Sequence, residues 1–201
     1  MTTARLVREA RRGCGLTQRA FAQKAGIAQP ALAAIESSAH DTRAASLDRL
    51  AGVGGYRLFL LPTVRSSAAS WADYIYEELR STRHSEGAAF CALIGLSDDL
   101  EAVPGPLRVA LCVAAPPLCG DVRFDAAIAA IVDHHLTKDL LPLPEWVRES
   151  SRVLTEPWAV SPYTDISEVP AVFQLHGVLL AETELASARR VKSTTNQFSM
   201  K

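Results

Sequence analysis

The residue types that do chemistry are sparse and scattered in this sequence. His134 and His135 are adjacent in "RFDAAIAAIVDHH", and on a helix neighbouring side chains diverge by about 100°, so the two cannot act as one facial pair. Cys14, Cys91, Cys112 and Cys119 contain no C-x-x-C pair and match no common zinc-ligand spacing. They read as reduced thiols that behave as small buried hydrophobes; the alternative is a zinc or redox site shared with the two histidines. No Ser/His/Asp ordering, phosphate loop or H-E-x-x-H appears, so the expectation is no enzyme, no cofactor and no metal. Asp98, Asp99 and Glu101 read as a solvated helix surface, and Trp146 and Trp158 as packing anchors rather than a ligand cage. What remains is recognition chemistry. Within "GLTQRAFAQKAGIAQPALAAIESS", Gln29 is followed by Pro30, Ala31, Ala33 and Ala34, a helix face on which one side chain alone carries a hydrogen-bonding group.

The elements that carry these residues belong to a chain of 201 residues, 48% of them hydrophobic, enough for one or two domains with a real core. The N-terminus shows no basic, apolar, small-residue succession of a secretory signal, and no apolar run has bilayer length. The reading is a soluble, cytoplasmic protein with no membrane role. Its net charge of −1 conceals a division. Residues 1–61 hold nine Lys/Arg against four acids, a net +5, while the remainder holds twelve bases against eighteen acids. A basic head on an acidic body points the head at a polyanion.

The fold expected is mainly α: an N-terminal bundle of helices over residues 1–61, a short terminal strand, and a larger helical region over 68–188, with a mobile tail over 189–201. In the head, Leu6, Val7 and Ala10 stripe a first helix over 3–12. Thr17 is suited to cap a second helix, whose buried side is Phe21, Ala22 and Ala25. Gly26 ends it with the positive φ that a tight turn requires. A third helix, 29–37, tolerates Pro30 in its first turn and buries Leu32 and Ile35. A fourth covers 47–53. "GYRLFLLP" then alternates Tyr56, Leu58 and Leu60 against Arg57, Phe59 and Leu61 before Pro62, which reads as one strand. A lone strand needs a partner: either a second copy of the chain, or "WAV" or "GVLL" within it.

In the body, helices are expected over 68–83, 86–103, 107–113 and 122–140, the last with Phe124, Ile128, Ile131, Val132 and Leu136 inside. Proline-separated short pieces follow, with brief helices near 169–175 and 182–188.

Leu6 to Val53 resembles the Xre/Cro-type helix-turn-helix of phage repressors and their bacterial relatives, a five-helix type of bundle. The elements that carry the resemblance are "LTQ" at Leu16 to Gln18, the small Ala22, then Gly26, Ile27, Leu32, and "IE" at Ile35 and Glu36. The resemblance implies double-stranded DNA as partner, with the third helix in the major groove and the start of the second, Thr17 and Gln18, on phosphate. Gln29 then reads a base, and Ala31 and Ala34 can at most touch thymine methyl groups. Pro30 lies on that same face. Arg11 becomes partly a structural partner of Glu36 and partly phosphate-facing, and Thr42 and Arg43 follow the DNA backbone. Ala28 departs from the pattern, standing where a Ser or Thr cap is common. So thin a base-reading surface implies that phosphate contacts and DNA shape carry much of the selectivity.

A strand after such a head resembles antitoxin-type repressors of toxin–antitoxin operons, in several of which it pairs with its copy to build the homodimer that a palindromic operator requires. The body resembles a helical region found behind Xre-type heads, some encoded beside nucleotidyltransferase-like toxins. The resemblance implies a repressor and antitoxin whose acidic, aromatic-lipped body holds a basic protein partner. The alternative is a ligand- or metal-responsive regulator with a sensing pocket lined by Cys91, Cys112 or Cys119.

Overall fold

The computed structural model describes residues 3–38, 42–58, 60–81, 86–160 and 164–185. The chain divides into two units, Met1–Pro62 and Thr63–Lys201, and helices predominate in both. The boundary falls between the expected ends of head and body. The tail, 189–201, lies outside the described residues.

Four helices build the first unit among its described residues, one fewer than the five-helix type implies: α1 (Thr3–Gly13), α2 (Gln18–Ala25), α3 (Gln29–Glu36) and α4 (Ala44–Val53). Local sequence sets the turn between α2 and α3. The Thr17 hydroxyl accepts from the Ala20 N–H at 3.2 Å, satisfying one of the donors left free at a helix start. At the other end Gly26 takes φ 65°, where a Cβ would clash with backbone. Its N–H donates to the Gln23 carbonyl at 3.1 Å while the Ile27 N–H reaches back to Ala22 at 3.0 Å, closing the helix by the paired bonds of a Schellman turn. Val7, Phe21, Ala22, Ala25, Leu32 and Leu50 form the core beneath. On α1 the buried stripe is Ala4, Val7 and Ala10, with Leu6 only partly covered.

The expected strand over 56–61 has no strand pairing in this single chain among its described residues. Phe59 lies outside them. The two in-chain candidates for its partner pair instead with one another: β1 (Trp158–Ala159) runs parallel to β2 (Val178–Leu179), with Trp158 opposite Val178.

In the second unit α5 (Ala68–Arg80), α6 (Glu86–Glu101) and α7 (Gly105–Cys112) surround α8 (Val122–Lys138). Helix α8 is buried without a break from Phe124 to Asp133, the mark of a central core helix rather than a surface one. Two short 3-10 segments, Glu145–Arg148 and Ser150–Arg152, follow it, then β1, α9 (Ala171–Leu175) and β2. The helix expected over 182–188 is the 3-10 segment Glu182–Leu185, with the rest outside the described residues.

Buried charges knit this unit together. Arg108 donates from Nε to the Leu100 carbonyl (2.7 Å), from Nη2 to Val103 (3.1 Å) and from Nη1 to His135 (3.2 Å), and also pairs with Asp139. It thereby satisfies carbonyls that helix ends leave open. Asp133, fully buried, accepts from Thr137, Arg148 and His176. Burial pushes its carboxyl pKa up, but those bonds outweigh it and hold the group well below the usual carboxylate range.

Asp99 corrects the sequence reading. It is not solvated surface but 9% exposed, accepting from the Ser66 N–H (2.9 Å), Trp71 Nε1 (3.0 Å) and Arg65 (3.3 Å). Trp146 is a packing anchor, its Nε1 donating to the Cys112 carbonyl at 2.9 Å.

Candidate nucleic-acid interface

Glu36, at the end of α3, is the pivot of the first unit. Its carboxylate is 3% exposed and receives Arg11 in a two-pronged pair, Nε to Oε1 at 2.7 Å and Nη2 to Oε2 at 3.1 Å. The Gln18 amide adds a third bond, to Oε2 at 2.8 Å, and Arg8 donates to the Glu36 backbone carbonyl. One buried carboxylate so ties α1, α2 and α3. Burial pushes its pKa up, yet the bonds from Arg11 and Gln18 prevail and leave it below the ordinary value.

That cluster bears on two sequence assignments. The remaining Arg11 nitrogen, Nη1, donates to the Leu16 carbonyl at 3.0 Å, so each guanidinium nitrogen makes one bond inside the unit, the structural part of its assignment, and one N–H on each Nη is left over. The Gln18 amide nitrogen donates one of its two N–H groups to Glu36. An anion at the start of α2 would meet the other, together with the backbone N–H groups of Gln18 and Arg19, which have no acceptor within the helix.

Gln29, Pro30 and Ala31 are exposed at the opening of α3, whereas Ala33 and Ala34 are half-buried. The open face is thus narrower than the sequence suggests and confined to the first turn. Ala28 precedes it with no side-chain cap bond; its carbonyl accepts from the Ala31 N–H at 3.0 Å and Pro30 has no N–H, so in the first turn the Gln29 N–H alone is left without an acceptor in the helix. Thr42 is half-buried, and its Oγ1 has no hydrogen-bond partner among the described residues. Arg43 is exposed at the start of α4.

Residues 7–61 match the family model described as Helix-turn-helix. The first unit is a helix-turn-helix domain. The match covers just over a quarter of the chain and supports a sequence-specific DNA-binding regulator. No curated protein and no solved structure matches the chain.

Residue-by-residue reading missed part of the helix-turn-helix domain's basic surface. Arg12, Arg19, Lys24 and Arg49 are exposed along with Arg43, and none has an acidic partner among the described residues. The charge count was the available signal, and it could not say which of the nine cations the fold would consume. Arg5 is paired with Glu9 at 2.8 Å, and Arg11 with Glu36.

The sensing residues proposed for the body do not converge. Cys112 and Cys119 are buried, and burial pushes both thiols up to about 12. Cys91 borders one cavity, with Trp71 and Tyr74, and Cys119 a different one, with Tyr76 and Arg80. His134 and His135 turn to separate partners, Glu182 at 3.0 Å and Ser97 at 2.9 Å. Among the described residues no group of three or more His, Cys, Asp or Glu is placed to hold a metal, and no helix is long and apolar enough to cross a membrane.

Proposed function

We propose that this chain is a dimeric cytoplasmic transcriptional repressor without catalytic activity, and the antitoxin of a toxin–antitoxin pair. The observation that carries the repressor reading is the uncommitted start of α3. Gln29 is solvent-open in a helix-turn-helix domain whose Arg12, Arg19, Lys24, Arg43 and Arg49 are exposed and unpaired with acids among the described residues. Those cations can neutralise phosphates irrespective of sequence, and Gln29 can bond adenine by two hydrogen bonds.

The test is a salt-dependent binding titration of the Gln29→Ala variant on a selected operator and on random duplex. Discrimination should fall by about 1–3 kcal/mol, with the slope of log K against log salt unchanged. Intact discrimination would remove Gln29 from the groove.

The dimer reading rests on the segment after α4. Tyr56, Leu58, Leu60 and Leu61 are exposed, Leu60 completely, a cost in water that pairing with a second copy would relieve. Two-fold pairing also supplies the symmetry of a palindromic operator. The antitoxin reading is supported by the acidic balance of the body, which suits a basic protein such as a nucleotidyltransferase-like toxin. Co-expression with the product of the adjacent gene tests it: no complex would end the antitoxin role while leaving DNA binding standing.

A further inference from the structure

We propose that the second unit carries a binding site for a small organic cation with a flat apolar body, in the cleft between the start of α6, the start of α8 and the β1–β2 pair. The proposal rests on neither the DNA-binding nor the antitoxin reading. The cleft has a volume of about 500 Å³, with Phe90, Phe124, Trp158 and Val160 as walls and Glu86 and Glu184 at its margins. That is the size of a small-molecule site.

Its electrostatics choose the sign of the ligand. The Phe124 and Trp158 rings pack against one another, 5.6 Å between centroids and tilted by 50°; Phe124 is buried, so half-buried Phe90 and Trp158 present the aromatic surface, and aromatic faces attract positive charge. Trp158 already demonstrates this, holding the Arg123 guanidinium 5.4 Å from its ring centroid. That cation is fully answered, by Glu86 at 2.6 Å and Asp121 at 2.7 Å. Glu184 is not. Its carboxylate accepts the Thr164 hydroxyl (3.0 and 3.1 Å) and the Ala181 N–H (2.8 Å), neutral donors that orient the group without cancelling its charge. No cation meets it among the described residues. An aromatic wall beside an oriented carboxylate with no cationic partner among the described residues favours a cation over an anion or a neutral molecule of equal shape.

The experiment titrates the full-length chain with benzamidinium, benzyl alcohol and benzoate, which share a ring and differ in charge. Binding is followed through the indole N–H resonance of Trp158, assigned with Trp158→Phe. Benzamidinium should give a saturable shift and bind roughly tenfold tighter than benzoate, with benzyl alcohol between. Glu184→Gln should weaken benzamidinium roughly three- to tenfold and leave benzyl alcohol unchanged. Should that variant melt early, Phe90→Ala serves in its place, weakening benzamidinium by a similar factor through the lost ring. Equal binding of the three probes, no saturable shift, or benzamidinium affinity unmoved in a folded variant would overturn the proposal.

Discussion

Replacing Glu36 with Ala tests the account of how the reading helix is held. The substitution removes a carboxylate that is 3% exposed and accepts three side-chain hydrogen bonds, stranding the Arg11 guanidinium, whose side chain is 14% exposed. Breaking such a pair from one side costs about 3–5 kcal/mol, because a charge is left buried without its partner. A unit spanning Met1–Pro62 has a total stability of about 3–9 kcal/mol at ordinary values per residue, so the variant should lose most of it.

Urea unfolding of the full chain, read by hydrogen exchange resolved to the two units, should show the first unit melting far earlier and the second unchanged. Pairing Glu36→Leu with Arg11→Met removes both charges and should restore much of the loss. The pH dependence has a defined sign. The folded pKa of Glu36 lies below its ordinary value of 4.5, so its contribution is complete above about pH 4.5 and is lost as pH falls through the folded value. That component should vanish in Glu36→Ala. A loss under about 1 kcal/mol, with the single variant as stable as the double, would refute the idea that this carboxylate organises the unit.

Two further outcomes follow from exposure. Cys91 is exposed while Cys112 and Cys119 are buried with thiols pushed up to about 12, so a thiol-reactive probe at pH 8 should label Cys91 well before either of the other two; labelling of Cys112 or Cys119 at the same rate in folded protein would contradict the core placement. Deleting residues 56–61 should leave monomers in sedimentation equilibrium and weaken binding to a two-half-site operator more than to a single half-site. Dimers that persist would place the seam elsewhere.

The helix-turn-helix was legible because its signals are short-range. A threonine three residues ahead of the N–H it caps, and a glycine where the chain must turn left-handed, act within one helical turn. The body was legible only where periodicity was long, as in α8. Asp99 reads locally as one acid among several, and nothing nearby says that Arg65, Ser66 and Trp71, about thirty positions back, will close over it. The β1–β2 pair escaped for the same reason: each strand has two residues, too few for any period to register.

Composition and spacing determined, by themselves, that this chain begins with a basic helical elbow and continues as an acidic helical body. Tertiary structure decided which polar groups remain available. It commits Arg11 and the Gln18 amide to Glu36, leaves Gln29 open, and gives Glu184 neutral donors, Thr164 and the Ala181 N–H, as its partners among the described residues. Hydrophobic pattern and capping are properties of neighbours along the chain, whereas a charge is answered by whatever the fold brings within a few ångströms of it.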